Sequence, residues 1–410
     1  MKKSKTFLLL FLILLFAAIT RFWNLSYPKT YIFDEVYHAF TAEAYAQNDP
    51  RGYEWWHTSP VKGTAYEWLH PPLSKLFMAV SILVFGNNSF GWRFASAVFG
   101  VLTIFLIYSV AKKLFNEKTG LLAALIASLD GLILVQSRIA MNDVFIAVFI
   151  LTSIYWLISW FEKERPWQII LAGIFAGLAA STKWTGFYLV FPFGFVILTK
   201  FFRQKKKTSW LKKNWPYFLG AFFLVPLIYV ASYVQWWLQG HTLKQFYQLH
   251  QQIWWYQTRL TATHGYGSKA LTWPLMLRPV WYFVDYGKNK IANIYAQGNS
   301  LIWWSGLAAL IIGLIEGIRK KNFKLQFLLV CYLAFWLPWV FSPRVMFLYH
   351  YLPSLLFLIL TLAWLLWKVQ GSRFKVQGFS INGKLLVAIC CLLFAVPSYL
   401  HRHFNSPKLF

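Results

Sequence analysis

Asp34 and Glu35 stand side by side about fourteen residues beyond the first apolar run and open the longest acid-bearing stretch of the chain. Only 13 of the 410 residues are acidic, yet six of them fall between Asp34 and Glu67, among Trp and Tyr residues. A carboxylate in a polar loop can take a proton from an attacking hydroxyl. Around this pair the sequence collects His38, then His70 with Pro71, Pro72 and Lys75, and farther along Arg93, Arg138 with Asn142 and Asp143, Lys183, Arg278, and Arg344 with His350. Arg138, Lys183 and Arg344 are each alone in a turn otherwise free of cations. One such residue is often an anchor snorkelling at a bilayer boundary. Several on one face, opposite an acidic cluster, favour a site for an anionic group such as a lipid phosphate. The chemistry this predicts is a proton taken by Asp34 while the cations stabilise a departing phosphate. Asp130 sits inside an apolar run, where an acid is usually paired or functional. Glu35 and His38 alone are a weak metal signal, so neither a metal nor a cofactor is assigned. His70 before Pro71 shapes the backbone, because a residue preceding proline is pushed to extended conformations.

The elements that must position these residues are membrane spans. The chain is 58% apolar and 20% aromatic with a mean hydropathy of +0.48, and its apolar runs reach spanning length. A net charge of +27 suggests nucleic acid at first sight, but the basic residues sit in short clusters between apolar runs, which excludes that reading. Cys331, Cys390 and Cys391 lie inside apolar runs and read as small core hydrophobes. Lys2, Lys3 and Lys5 before the first run have the layout of a signal peptide, with Ala17 and Ala18 near a cleavage position; the run is read instead as a retained first span. Spans are expected near 6–20, 92–111, 120–137, 143–161, 167–182, 184–200, 215–237, 300–318, 325–341, 345–367 and 384–400, about eleven in all. Leu73–Phe85 is too short to cross and is expected to lie at the interface as a juxtamembrane helix. With the N-terminus inside, the inner loops carry 22 of the 40 basic residues and the short outer turns three, as the positive-inside rule requires. The long loops 21–91 and 238–299 and all nine histidines then fall outside, so the outer face is the expected working face.

At these residues the chain resembles the protein O-mannosyltransferase family. The resemblance is carried by Phe33-Asp34-Glu35, His70-Pro71-Pro72-Leu73-Ser74-Lys75, Arg93 with Gly100, Leu129-Asp130 and Gln136-Ser137-Arg138. It continues through Ser181-Thr182-Lys183-Trp184-Thr185-Gly186, Trp273-Pro274-Leu275-Met276, Asn299 with Trp303-Trp304, and Arg344 with His350-Tyr351-Leu352-Pro353. It implies a single all-α GT-C membrane domain over 1–410 with its active site on the extracytoplasmic surface of the plasma membrane. It also implies a polyprenyl- or dolichyl-phosphate-mannose donor, a Ser or Thr acceptor on secreted or translocating protein, and inversion at the anomeric centre. Asp34 falls on the proposed base and Glu35 beside it. Lys75, Arg93 and Arg138 fall on matching motif positions and, with Lys183 and Arg344, are expected to meet the donor phosphate. His38, His70, Asp130, Asp143 and His350 are expected to support them. Loop 238–299 is too short for the β-trefoil MIR domain of eukaryotic members, so the chain looks like a bacterial-type one. Val36-Tyr37-His38 also replaces the eukaryotic Val-His-Phe order.

Three rivals stand against this reading, one of them a purely structural membrane subunit, which the isolated outer-face cations disfavour. A related GT-C transferase would use another polyprenyl-phosphate sugar, or a lipid or glycan acceptor. A lipid flippase or transporter would show inverted repeats with helix breaks in matching halves, and no such repeat is visible.

Overall fold

The computed structural model describes residues 3–287 and 291–370, together with the backbone of 373–376 and 379–382. The helices are α1 (Lys3–Phe22), α2 (Glu35–Ala46), α3 (Leu73–Phe85), α4 (Ser89–Leu114), α5 (Glu117–Ser128), α6 (Gly131–Gln136), α7 (Asp143–Lys163) and α8 (Pro166–Ala180). They continue as α9 (Val190–Arg203), α10 (Lys207–Ser232), α11 (Val234–Leu238), α12 (Leu243–Arg259), α13 (Ser300–Arg319), α14 (Phe323–Val340) and α15 (Leu352–Gln370). Among the described residues, eight helical segments are long and apolar enough to cross a bilayer. The other three expected spans differ. Residues 120–137 are broken into α5 and α6 at Asp130, 167–182 form the 15-residue α8, and 384–400 lie outside the described residues, as do Cys390 and Cys391.

Burial separates the central helices from the peripheral ones. α7 and α15 are apolar on every face, and 78% of each spanning window is buried, against 17% for α1 and α10. α1 is as apolar as α15, and a lipid-facing position costs an apolar helix nothing, so it is packing that puts α7 and α15 at the centre while α1 and α10 keep lipid-facing sides. Small residues let helix axes approach: a Cβ on Gly173 of α8 would come within 2.7 Å of the Ala221 carbonyl oxygen of α10, and one on Gly177 within 2.9 Å of Ile228. That is close contact through Gly-x-x-x-Gly spacing, which suits an environment where lipid supplies no hydrophobic drive.

The break at Asp130 has an electrostatic cause. One carboxylate oxygen accepts from the Ile133 amide at the start of α6 (3.0 Å); the other accepts from the Asn299 amide (3.1 Å) and from Trp303 Nε1 (2.9 Å) at the start of α13. A buried carboxylate needs such donors, and the free amides of two helix starts supply them.

The all-α expectation missed an antiparallel ribbon in the second long loop, β1 (Val280–Tyr286) paired with β2 (Ile291–Ala296). A short second ribbon pairs β3 (Arg373–Val376) with β4 (Phe379–Asn382). The first ribbon arises where β-branched and aromatic residues crowd together, and it is tied to the first loop by Tyr27 donating to Asp285 Oδ2 (2.6 Å). In that first loop, α2 packs on α3 and α3 on α4, so the acidic segment is folded against the helical body.

Candidate active site

Asp34 immediately precedes α2, in the position of an N-cap, yet its carboxylate makes no capping hydrogen bond. An aspartate there ordinarily satisfies a helix-start amide. Here its Oδ2 instead accepts from the Tyr349 hydroxyl (3.0 Å). The turn that aims it away from the helix is Phe33, a non-glycine residue at φ 48°. Such a conformation persists only where the surroundings impose it. The Phe33 ring is held by stacking on Tyr282 of β1 (centroids 4.2 Å apart) and by edge contacts with Phe347 and Tyr349.

The half-buried Asp34 opens into a cavity of about 490 Å³. Five segments converge on it: the start of α2, residues 65–70, the start of α7, the exit of α8 at Lys183, and residues 344–350; the end of α12 and residues 262–264 close it. Asp34, His38, His70, Asn142, Asp143, Lys183, Arg344 and His350, all singled out in the sequence, line it. Burial pushes the Asp34 carboxyl up to about 7; the Tyr349 hydrogen bond opposes this, neighbouring Asp143 and Glu67 reinforce it, and Lys183 pulls it down. A carboxyl poised near neutral pH suits a general base.

Two cations face the same cavity. Lys183 Nζ lies 2.9 Å from Asp143 Oδ1 and 5.9 Å from the centroid of the Tyr349 ring. Arg344 lies over Trp339 and meets His350 Nε2 at 3.1 Å. Lys183, Arg344 and His70 also line an adjoining cavity of about 240 Å³ walled by Trp184, Trp254 and Trp339. They therefore stand where the two cavities meet.

Glu67 organises the other wall. It meets His70 Nδ1 at 2.7 Å, is paired with the buried Lys75 ammonium, and lies 3.6 Å from His38 Nδ1. Burial opposes its ionisation, but Lys75, His70 and His38 hold it well below the usual carboxylate range. Burial lowers both histidines, His38 to about 3, so at neutral pH they are uncharged and Lys75 is the compensating cation. Neither Glu67 nor Tyr349 figured among the residues expected to act. Glu67 is three residues before His70 and closes the acidic stretch; Tyr349 precedes His350, and only the fold brings it 315 positions back to Asp34.

Four residues from the expected set are engaged elsewhere. Glu35, fully buried, takes both Arg93 Nε (2.7 Å) and Nη2 (2.6 Å) and also accepts from the Ile32 and Ala140 amides. Arg93 spends its remaining donors on the carbonyls of Leu25, Pro28 and Thr30. Lys75 is enclosed by Glu67 and the His70 carbonyl. Arg138 donates to the carbonyls of Thr20 (2.6 Å), Arg21 and Trp23 at the end of α1, where a helix terminus attracts a cation. Arg93 and Arg138 line a different cavity, of about 690 Å³, between the first loop and the β1–β2 ribbon. Isolated charge in the sequence therefore did not distinguish a residue that faces a cavity from one that ties down a loop.

Known proteins resemble this chain in sequence and in fold. Residues 69–237 match the family profile described as dolichyl-phosphate-mannose-protein mannosyltransferase, and residues 242–406 match that of the C-terminal four-span region of protein-O-mannosyltransferase. The polyprenol-phosphate-mannose–protein mannosyltransferase of Mycolicibacterium smegmatis is 28% identical over 85% of this chain and 80% of its own length. The protein of the same name from Corynebacterium glutamicum is 26% identical over 95% of this chain and 91% of its own length. A solved structure of the Saccharomyces cerevisiae Pmt1–Pmt2 complex bound to the sugar donor superposes with a TM-score of 0.76 at 15% identity, covering 97% of this chain and 89% of that one. The chain belongs to the protein O-mannosyltransferase family and has the GT-C membrane glycosyltransferase fold.

Proposed function

We propose that the protein transfers mannose from a polyprenyl- or dolichyl-phosphate carrier to Ser or Thr hydroxyls of secreted or translocating polypeptides, inverting the anomeric centre. The names of the mycobacterial and corynebacterial relatives support the donor. The observation that carries the mechanism is the uncapped Asp34 carboxylate sharing one cavity with Lys183 and Arg344. The acceptor oxygen attacks the anomeric carbon, its proton passes to Asp34, and the bond from that carbon to the phosphate oxygen breaks with its electron pair moving to the phosphate. Lys183 and Arg344 balance the charge that develops there. One displacement at carbon gives one inversion.

Glu35 and Arg93 serve this reaction by fixing the loop that bears Asp34, and Arg138 by anchoring the end of α1 on which that loop begins. The charge distribution supports an extracytoplasmic cavity in the plasma membrane, with the N-terminus cytoplasmic and the C-terminus outside. Residues 1–410 act as one GT-C domain, loop 21–91 supplying the base and the short loop 238–299 part of the cavity wall.

The test is the purified protein in lipid, supplied with polyprenyl-phosphate-mannose and a Ser/Thr peptide. Mass spectrometry should find one hexose on a hydroxyl residue and NMR should find its configuration inverted relative to the donor. Transfer to a lipid or glycan in place of the peptide would assign the protein to the rival GT-C chemistry.

A further inference from the structure

We infer that Tyr349 sets the working pH of the reaction by holding Asp34 in its ionised, correctly aimed state. The inference rests on the reading of Asp34 as the base.

The geometry is specific. Tyr349 is buried, and its hydroxyl donates to Oδ2 of Asp34 (3.0 Å). With that oxygen occupied and no helix amide engaged, Oδ1 is the atom left for an acceptor hydroxyl. The same ring lies 5.9 Å from Lys183 Nζ and stacks on Phe347 with planes 8° apart. Tyr349 thus touches the base on one side and a cation of the phosphate site on the other, and its ring has little freedom to turn.

The charge balance shows why such a donor is needed. Burial disfavours the Asp34 anion, and Asp143 from α7 and Glu67 from residues 65–70 face it with like charge. Opposing them are Lys183 and the Tyr349 hydroxyl. Arg344, His350, His38 and His70 line the same cavity, and the pairs Lys183–Asp143 and Lys75–Glu67 spend most of their cationic charge on partners. A hydrogen bond to a charged group favours the charged form. Tyr349 keeps its own proton throughout; the proton from the acceptor goes to Oδ1. It is therefore a positioning residue.

Removing the hydroxyl alone separates this role from packing. In Tyr349→Phe, kcat/KM at low donor concentration should keep its shape but have its acid limb moved up by about one pH unit, the size expected for one hydrogen bond to a charged group. Near pH 7 the rate should fall by roughly fivefold and at about pH 9 it should return close to the unmodified value. Tyr349 replaced site-specifically by a fluorinated tyrosine, whose phenol is a stronger donor of the same shape, should move the limb down, and it serves if the phenylalanine variant does not fold. A Tyr349→Phe profile that superimposes on the original, or is lowered equally at every pH, overturns the inference. Asp34→Asn is measured beside it. If that variant is inactive across the range while Tyr349→Phe is unshifted, the base assignment stands and this inference falls; if it turns over normally, both fall.

Discussion

At the scale of the residue, the decisive contrast is between two adjacent carboxylates. Glu35 is fully buried and accepts four hydrogen bonds, two of them from Arg93, whereas Asp34 is half-buried, faces a cavity and accepts one from Tyr349. A base must offer a lone pair, and only Asp34 has one to offer. Asp34→Asn keeps the volume but cannot take the proton, so turnover of peptide should fall by roughly 10² to 10⁴ with donor binding near normal, as measured by single-turnover kinetics and donor titration. On the proposed mechanism Asp34 acts in its ionised form, and burial holds this carboxyl near 7, so kcat/KM should rise as pH rises through about 7 and then level. A profile already flat from pH 5 would contradict a neutral-range base. Among the cations, Lys183→Ala should raise the donor KM while leaving the peptide KM nearly unchanged if Lys183, beside its pair with Asp143, meets the phosphate as proposed. Arg138→Ala should show its main effect in thermal stability, since its guanidinium is committed to the carbonyls at the end of α1.

At the scale of the element, what matters is how a loop of some seventy residues is held rigid enough to present a base. The Glu35–Arg93 pair joins α2 to α4 and gathers three loop carbonyls, so it acts as a clamp. Arg93→Met leaves a buried carboxylate uncompensated, a change that typically costs about 3–5 kcal/mol. Unfolding of the purified protein in nanodiscs should show a clear drop in melting temperature, and Arg93→Met combined with Glu35→Gln should recover part of it. If the double variant were as unstable as the sum of the singles, the two side chains would not be acting as a pair. The motif residues His70, Pro71, Pro72 and Lys75 belong to the same loop: Pro72 caps the start of α3, and Lys75 reaches back to Glu67.

At the scale of the whole molecule, the charge distribution makes a topological prediction. Reporters fused after Lys207 and after Lys321 should read as cytoplasmic, and those after Gly267 and at the C-terminus as external. An external signal at Lys207 would put the cavity on the wrong side for a translocating acceptor. Membrane insertion, most helix positions and the short α3 were all legible in the sequence, because bilayer thickness converts directly into apolar run length and aqueous loops into polar ones. The acidic cluster and the lone cations stood out in the sequence for a similar reason: charge near a bilayer is costly and so is sparse. What only the tertiary structure decided is who meets whom. Arg93, Arg138, Lys183 and Arg344 look alike in sequence, yet two tie backbone carbonyls of the first loop and of the end of α1 and two face the Asp34 cavity, because long-range packing places those carbonyls near the first two. The helix break at Asp130 and the hydrogen bond from Tyr349 to Asp34 depend on partners 169 and 315 positions away. A local pattern of residue types carries no information about such pairings, since they are set by how the spans pack and not by what lies within one turn or one loop.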